Sequence, residues 1–354
     1  MRVASLTFAL SLLSQGIALS QTVEPVRALG LPCPTFPPDN APSQAAIELG
    51  RRLFFDKRLS RTNSVSCATC HDPSHGFADP HKVSIGVEAR EGSRNSPTVL
   101  NAAFVEPLMW DGKAATLEDQ SLIPFQSREE FDLSVNDLVA KLTRQGYSNE
   151  FKAAFGRDVN TADLAKALAS YQRSLTAGDS AFDRYVFSKD QTALSNSAKR
   201  GFEVFLESRC DACHLVMTPG LHPFALKNAL FTDNKFHNLG VGTDAPKPDG
   251  GRYALTGDPA DWGAFKTPSL RNVALTAPYF HDGSAATLMD VIDLYERGGT
   301  PNKRLDREIR PFTLTPEDKR DLVAFLDSLT SSSVPQLAQE ESKIQPFKPP
   351  TPQK

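Results

Sequence analysis

The sequence is short of cysteine, of net charge and of strand-like alternation, and after its first twenty residues it has no long apolar run. Five cysteines in 354 residues are too few for a secreted fold stapled by disulfides. Four of them fall into two Cys-x-x-Cys-His strings, Cys67-Ala-Thr-Cys70-His71 and Cys210-Asp-Ala-Cys213-His214. Cys33, in a Pro-rich segment, then has no intramolecular partner if the other four are occupied. With 39 basic and 42 acidic side chains the net charge is −3, so nucleic acid is not an expected partner. No stretch beyond residue 20 reaches about 18 uncharged apolar residues, so no integral membrane segment is expected in the mature chain. Period-two alternation is scarce, which points to a mainly α architecture.

What is present begins with a targeting signal. Arg2 precedes the apolar stretch Val3 to Leu13 and then small residues around Ala18-Leu19-Ser20, the pattern of a secretory signal peptide over residues 1–20. A retained N-terminal anchor is the alternative. The remaining roughly 330 residues exceed one average domain and suggest two. Helical signals recur. Val135, Leu138, Val139 and Leu142 share a face after a Ser134 cap, and Leu164, Leu168, Tyr171 and Leu175 form a second stripe. Thr315 caps a third helix with Pro316 at its first position and Leu322, Phe325, Leu326 and Leu329 as its buried stripe. From Pro335 to Lys354 the chain turns rich in Pro, Gln and Lys and reads as a disordered or surface-draped tail.

An internal repeat organises the rest. Trp110-Asp-Gly-Lys-Ala-Ala-Thr-Leu-Glu-Asp119 recurs 171 residues later as His281-Asp-Gly-Ser-Ala-Ala-Thr-Leu-Met-Asp290. At the same offset, Ser96-Pro97-Thr98 and Asn101 meet Thr267-Pro268-Ser269 and Asn272. The second half carries the extra length between its string and its repeat, and Gly220 to Gly263 reads there as a long loop. The chain is therefore read as two tandem cytochrome c-like haem domains, 21–190 and 191–334, related by duplication, with the tail at 335–354.

The strings have a physical logic. Two thiols one helical turn apart reach the two vinyl groups of one haem, and the adjacent His places an imidazole under its iron. A thioredoxin-like dithiol or half of a zinc site is the alternative, but neither needs the trailing His. His71 and His214 are thus expected as proximal iron ligands of two covalently bound haem c groups. The opposite haem faces decide between carrier and enzyme, because a six-coordinate haem passes electrons whereas an open one can bind peroxide. Tyr295 lies on the stripe of Leu288, Val291 and Ile292, on a helix capped by Thr287 and ended by Gly298-Gly299. Its repeat mate is Pro124, which has no ligating atom. A plain core tyrosine is the alternative for Tyr295.

These strings, with Arg94-Asn-Ser-Pro-Thr-Val-Leu-Asn101, Met109-Trp-Asp-Gly112 and Ser269-Leu-Arg-Asn-Val-Ala-Leu-Thr-Ala-Pro-Tyr-Phe-His-Asp-Gly283, resemble the bacterial dihaem cytochrome c peroxidase and MauG superfamily over nearly the whole mature length. The resemblance implies a periplasmic haem peroxidase with a peroxidatic first haem, an electron-transferring second haem and one calcium ion between the domains. The calcium positions it implies are the Asn95 side chain with the carbonyls of Thr276 and Pro278. Val87 stands where reductively activated members carry a distal His, and Tyr295 where they carry a Met. Both departures resemble the MauG branch, as do Trp110, Gln120, Pro124 and Glu130, which match its distal pocket and inter-haem bridge. That branch oxidises a protein partner through a Trp two residues before the second string, and here the position is Ser208.

The implied partners are hydrogen peroxide and either a small periplasmic electron donor, a cytochrome c or a cupredoxin, or an oxidisable protein substrate. Glu130 is the expected proton relay, with an exposed carboxylate as the alternative, and Trp110 the bridge, with an ordinary buried aromatic as the alternative. His75 and His81 are expected at the surface or a haem edge, His237 has no assigned role, and His281 is expected as a structural or propionate contact. Met217 and Met289 are weaker alternatives to Tyr295 as ligand.

Overall fold

The computed structural model describes residue 23 and residues 27–214 and 229–344; the expected signal peptide lies outside them. The first half builds α1 (Gln44–Phe55), the one-turn α2 (Cys67–Cys70), α3 (Leu117–Gln126), α4 (Val135–Arg144), α5 (Ser148–Phe155) and α6 (Thr161–Ser174). The second builds α7 (Ala181–Phe187), α8 (Asn196–Glu207), the one-turn α9 (Asp211–His214), β1 (Phe236–His237), α10 (Tyr253–Thr256), β2 (Phe265–Lys266), α11 (Leu288–Glu296), α12 (Pro316–Asp327) and α13 (Val334–Glu341). The mainly α class is as expected. Its helices start where the sequence offers a cap: Ser134, Thr287 and Thr315 each accept the backbone N–H three residues on.

Each half rests on one helix crossing at a glycine. Gly50 of α1 lies so close to α6 that a Cβ would stand 1.9 Å from the Ala167 carbonyl oxygen, and Gly201 of α8 so close to α12 that a Cβ would stand 1.8 Å from that of Asp321. Around the first crossing pack Leu49, Leu53, Phe54, Leu164, Leu168 and Tyr171. Around the second, Phe182, Phe205 and Phe231 meet Phe325 with ring centroids 5.1–6.2 Å apart, within the range of favourable edge and tilted contacts. The repeat is written in the backbone as well. Asn101 and Asn272 are both left-handed, at φ 62° and 61°, as are Met109 and Phe280, both at 71°.

The core memberships of α7 and α13 bear on the domain boundary and on the tail. Ala177 belongs to the first core, whereas Phe182 and Val186 of α7 already belong to the second. The cores therefore change over before residue 190, because the apolar face of α7 matches the Phe cluster. The tail is also structured at its start. Val334 and Leu337 of α13 pack on the first core, Pro335 sits in the helix's first turn, where its missing N–H costs nothing, and the buried Glu341 binds Arg51 at 2.8 Å and Tyr171 at 3.0 Å. Residues 345–354 of the expected tail lie outside the described residues. Of the expected long loop, residues 220–228 lie outside the described residues, and the remainder is tied down by antiparallel pairing of Phe236 with Lys266 and His237 with Phe265.

The crossings make a stability prediction. Alanine favours a helix over glycine by about 1 kcal/mol, but at residue 201 the extra methyl has no room. Gly201→Ala is expected to destabilise by about 1–3 kcal/mol in equilibrium denaturation; a neutral or stabilising result would contradict the close crossing.

Candidate functional site

The first site grows from the α1–α2 corner. Ser66 and Thr69 form a reciprocal capping box that fixes the single turn of α2, with Cys67 and Cys70 at its ends and His71 as its C-cap. All three line a cavity together with Phe54, Val65, Leu168, Ile85, Gly86, Gln120, Pro124 and Glu130. Burial lowers the His71 imidazole below its ordinary pKa, so it is neutral, the form that ligates metals. Its Nδ1 is buried with no hydrogen-bond partner among the described residues. Burial also pushes the Cys67 and Cys70 thiols up to about 12, the opposite of what a reactive dithiol requires.

The second site repeats the arrangement. Cys210, Cys213 and His214 line a larger cavity with Phe205, Leu270, Lys266 and Tyr295. The His214 ring turns its Nδ1 to the Phe231 carbonyl at 3.2 Å, which leaves Nε2 as the remaining donor atom, and burial takes its pKa down to about 4. Tyr295 lines the same cavity, and burial raises the pKa of its phenol. Met289 of the same helix does not line the cavity, and Met217 lies outside the described residues.

Opposite His71 the wall differs. Pro124 interrupts α3, so the Gln120 carbonyl loses the N–H that would pair it, and Val87 is fully buried in the first core. The Val87 N–H donates to the Glu130 carbonyl at 2.9 Å. A lattice of charges holds this turn: Arg90 donates to the Arg128 carbonyl at 2.8 Å and to Asp132 at 2.7 Å, and Arg61 pairs with Asp132 at 2.9 Å and Glu88 at 2.7 Å. Gly86 is required where it is, since a Cβ there would stand 1.9 Å from the Glu129 carbonyl oxygen. The Glu130 carboxyl, held over the cavity, is pushed up to about 7 by desolvation.

On the wall of the second cavity, Trp110 donates its indole N–H to the Asn95 carbonyl at 2.9 Å, and its own carbonyl accepts from the Lys266 N–H at 2.8 Å. Its ring meets His281 edge-on at 6.4 Å, and His281 stacks on Phe265 at 3.6 Å. Asn95 is buried, donates through Nδ2 to the His81 carbonyl at 2.8 Å, and shares the second cavity's wall with Thr276 and Pro278.

The comparisons agree with this geometry. Residues 44–192 match the family described as di-haem cytochrome c peroxidase. Methylamine utilization protein MauG of Methylophilus methylotrophus is 38% identical over 293 residues, covering 81% of this chain and 82% of that one. The chain belongs to the dihaem cytochrome c peroxidase family. Cytochrome c551 peroxidase of Pseudomonas aeruginosa is 37% identical over 296 residues, covering 81% of this chain and 79% of its own. Among solved structures, a MauG-like protein associated with microbial copper homeostasis has a TM-score of 0.75 at 33% identity, covering 86% of this chain and 95% of that one. Membership makes the chain a haem oxidoreductase with two haem groups, and each cavity has the thiol pair, neutral imidazole and apolar walls that fit one.

The dihaem frame also exposes residues that sequence reasoning missed or left unassigned. Lys266 is buried in the second cavity wall, and burial takes its pKa down to about 8. His237 is held by Cys213, by Asp306 at 2.6 Å and by Asp233 at 3.1 Å, which together push it up to about 10. Arg94 bridges Asp111 at 2.7 Å and Asp249 at 2.6 Å. Only the Arg94-Asn95 and Phe236-His237 strings hinted at two of these. His75 and His81 are exposed, as expected; Cys33 is exposed and free.

A carboxyl that titrates near neutrality donates its proton below that pH and loses it above. The peroxide reaction is therefore expected to slow as pH rises through about 7, and Glu130→Gln to lower its rate by roughly 10²-fold or more without altering the absorption of the second haem. A stopped-flow pH profile unchanged by Glu130→Gln would remove Glu130 from the reaction.

Proposed function

We propose that this is an exported, periplasmic c-type dihaem peroxidase that reduces hydrogen peroxide at the first haem with electrons passed through the second from a small redox protein. The observation that carries the reading is the asymmetry of equivalent positions: Pro124, which has no ligating atom, lines the cavity of His71, while Tyr295 lines the cavity of His214. When bound, haem supplies an iron that exchanges electrons with peroxide. Reducing one peroxide to two waters takes two electrons and two protons. Glu130 holds one proton at its carboxyl for the departing oxygen and is recharged from solvent. The Gln120 amide orients the peroxide, and the buried Val87 and Phe131 keep bulk water out.

In this reading Cys67, Cys70, Cys210 and Cys213 carry the haems as thioethers, and Trp110 bridges them. Asn95 Oδ1 with the Thr276 and Pro278 carbonyls forms an all-oxygen set suited to one calcium ion, a hard cation. Residues 1–20 direct export; among the described residues no helix is long and apolar enough to cross a membrane.

A MauG-like oxidation of a protein substrate is the second reading. Tyr295 and Val87 favour it, but Ser208, not a Trp, lines the second cavity two residues before the string. Steady-state peroxide consumption with a reduced cytochrome c separates the two. A plain electron carrier is disfavoured because neither Pro124 nor Val87 can close the first iron.

Tyr295 decides the character of the second haem. A phenolate is a hard anionic donor that favours oxidised iron, and the iron's charge would offset the burial that opposes its ionisation. Tyr295→Phe is expected to change the low-spin paramagnetic resonance signal of the second haem, and Met289→Leu to leave it as it is. An unchanged signal in Tyr295→Phe would show that the tyrosine is not a ligand.

A further inference from the structure

The lip of the second cavity carries a cluster of basic side chains. Arg209, Glu308 and Arg310 line the cavity itself. The turn after α11 brings more cations alongside. Gly298 and Gly299, at φ 80° and 72°, pack against Pro311 and against Ile309 and Leu305, which sets Arg297 beside the loop that carries Lys303, Arg304, Arg307 and Arg310. All six of these basic residues are exposed. Arg209 pairs with Glu308 at 3.0 Å and so joins the loop to the second haem string. Among the described residues, Glu308 lines the cavity and Asp211 lies within electrostatic reach of Arg209, while Asp306 is taken up by His237 at 2.6 Å and Glu296 by Lys319 at 2.6 Å. The chain as a whole carries −3, so the cation excess at this mouth is local.

We infer that this lip is the docking surface for the electron donor, and that the donor is a small acidic redox protein. The inference rests on the peroxidase reading, which requires electrons to enter at the second haem. An acidic donor would be repelled by the net negative remainder of the chain and drawn to this arginine-bearing mouth, so the field both steers and orients it. The mouth also exposes the apolar side chain of Ile309 among the charges, an apolar contact inside a charged rim of the kind transient protein interfaces use.

The test compares three reductants in peroxide-dependent turnover by the full haem-loaded protein: a strongly acidic reduced cupredoxin, a strongly basic reduced cytochrome c of similar size, and a neutral quinol. The acidic cupredoxin should be oxidised about tenfold faster at ~20 mM than at ~500 mM salt, because screening shortens the reach of the field. The double variant Arg304→Glu/Arg307→Glu should lower its low-salt rate about tenfold and flatten the salt dependence, leaving quinol oxidation unchanged. Titration calorimetry with the copper-free cupredoxin should show its Kd rising in parallel. Normal quinol oxidation with a salt-insensitive cupredoxin rate, or a basic cytochrome c that is faster at low salt, would overturn the docking inference alone. No peroxide-dependent quinol oxidation at all would overturn the peroxidase reading on which it rests.

Discussion

Everything in this molecule depends on keeping a neutral imidazole in an apolar wall beside a pair of buried thiols, twice. Burial does this by desolvation, which lowers His71 and His214 and raises Cys67, Cys70 and Cys210. The same burial suppresses competing thiol chemistry. It is achieved by two tight helix crossings, α1 on α6 and α8 on α12, whose glycines let backbone meet backbone and so bring the haem string of each half against its own Phe-rich core.

On this duplicated frame, function comes from what the two copies do not share. Thr116 and Thr287 cap equivalent helices in the same way, yet the inward position two turns on is Pro124 in one and Tyr295 in the other. One helix therefore ends in a wall with no donor and the other in a wall with a phenol. The same divergence puts the indole of Trp110 where the second copy has His281, and the two rings meet at the seam. Around the first cavity, Arg61, Arg90, Glu88 and Asp132 pin the turn that carries Glu130. Single exposed ion pairs contribute little, but Arg90 also donates to the Arg128 carbonyl and the Arg61 backbone N–H to the Phe131 carbonyl, so the cluster fixes geometry more than it adds stability.

Much of this was legible in the sequence because it is local. The haem strings, the caps at Ser134, Thr287 and Thr315, the repeat and the Pro124–Tyr295 contrast all depend on spacing within a helix or on a constant offset. What stayed hidden depends on contacts between distant segments. His237 meets Asp306, Arg94 meets Asp249, and Glu341 meets Tyr171, and no periodicity marks such pairs. At the start of the tail Pro335 opens a helix instead of breaking one, which composition does not reveal. The allegiance of the short helix α7 is likewise set by the aromatic core it joins, which no local spacing marks.

The central claim is that one duplicated haem domain has been left open while the other has been closed. Electron paramagnetic resonance of the oxidised protein as isolated tests it most directly. The account predicts one high-spin signal from the haem on His71 and one low-spin signal from the haem on His214, with peroxide altering the spectrum without prior reduction. Two low-spin signals and no reaction until the protein is reduced would contradict it.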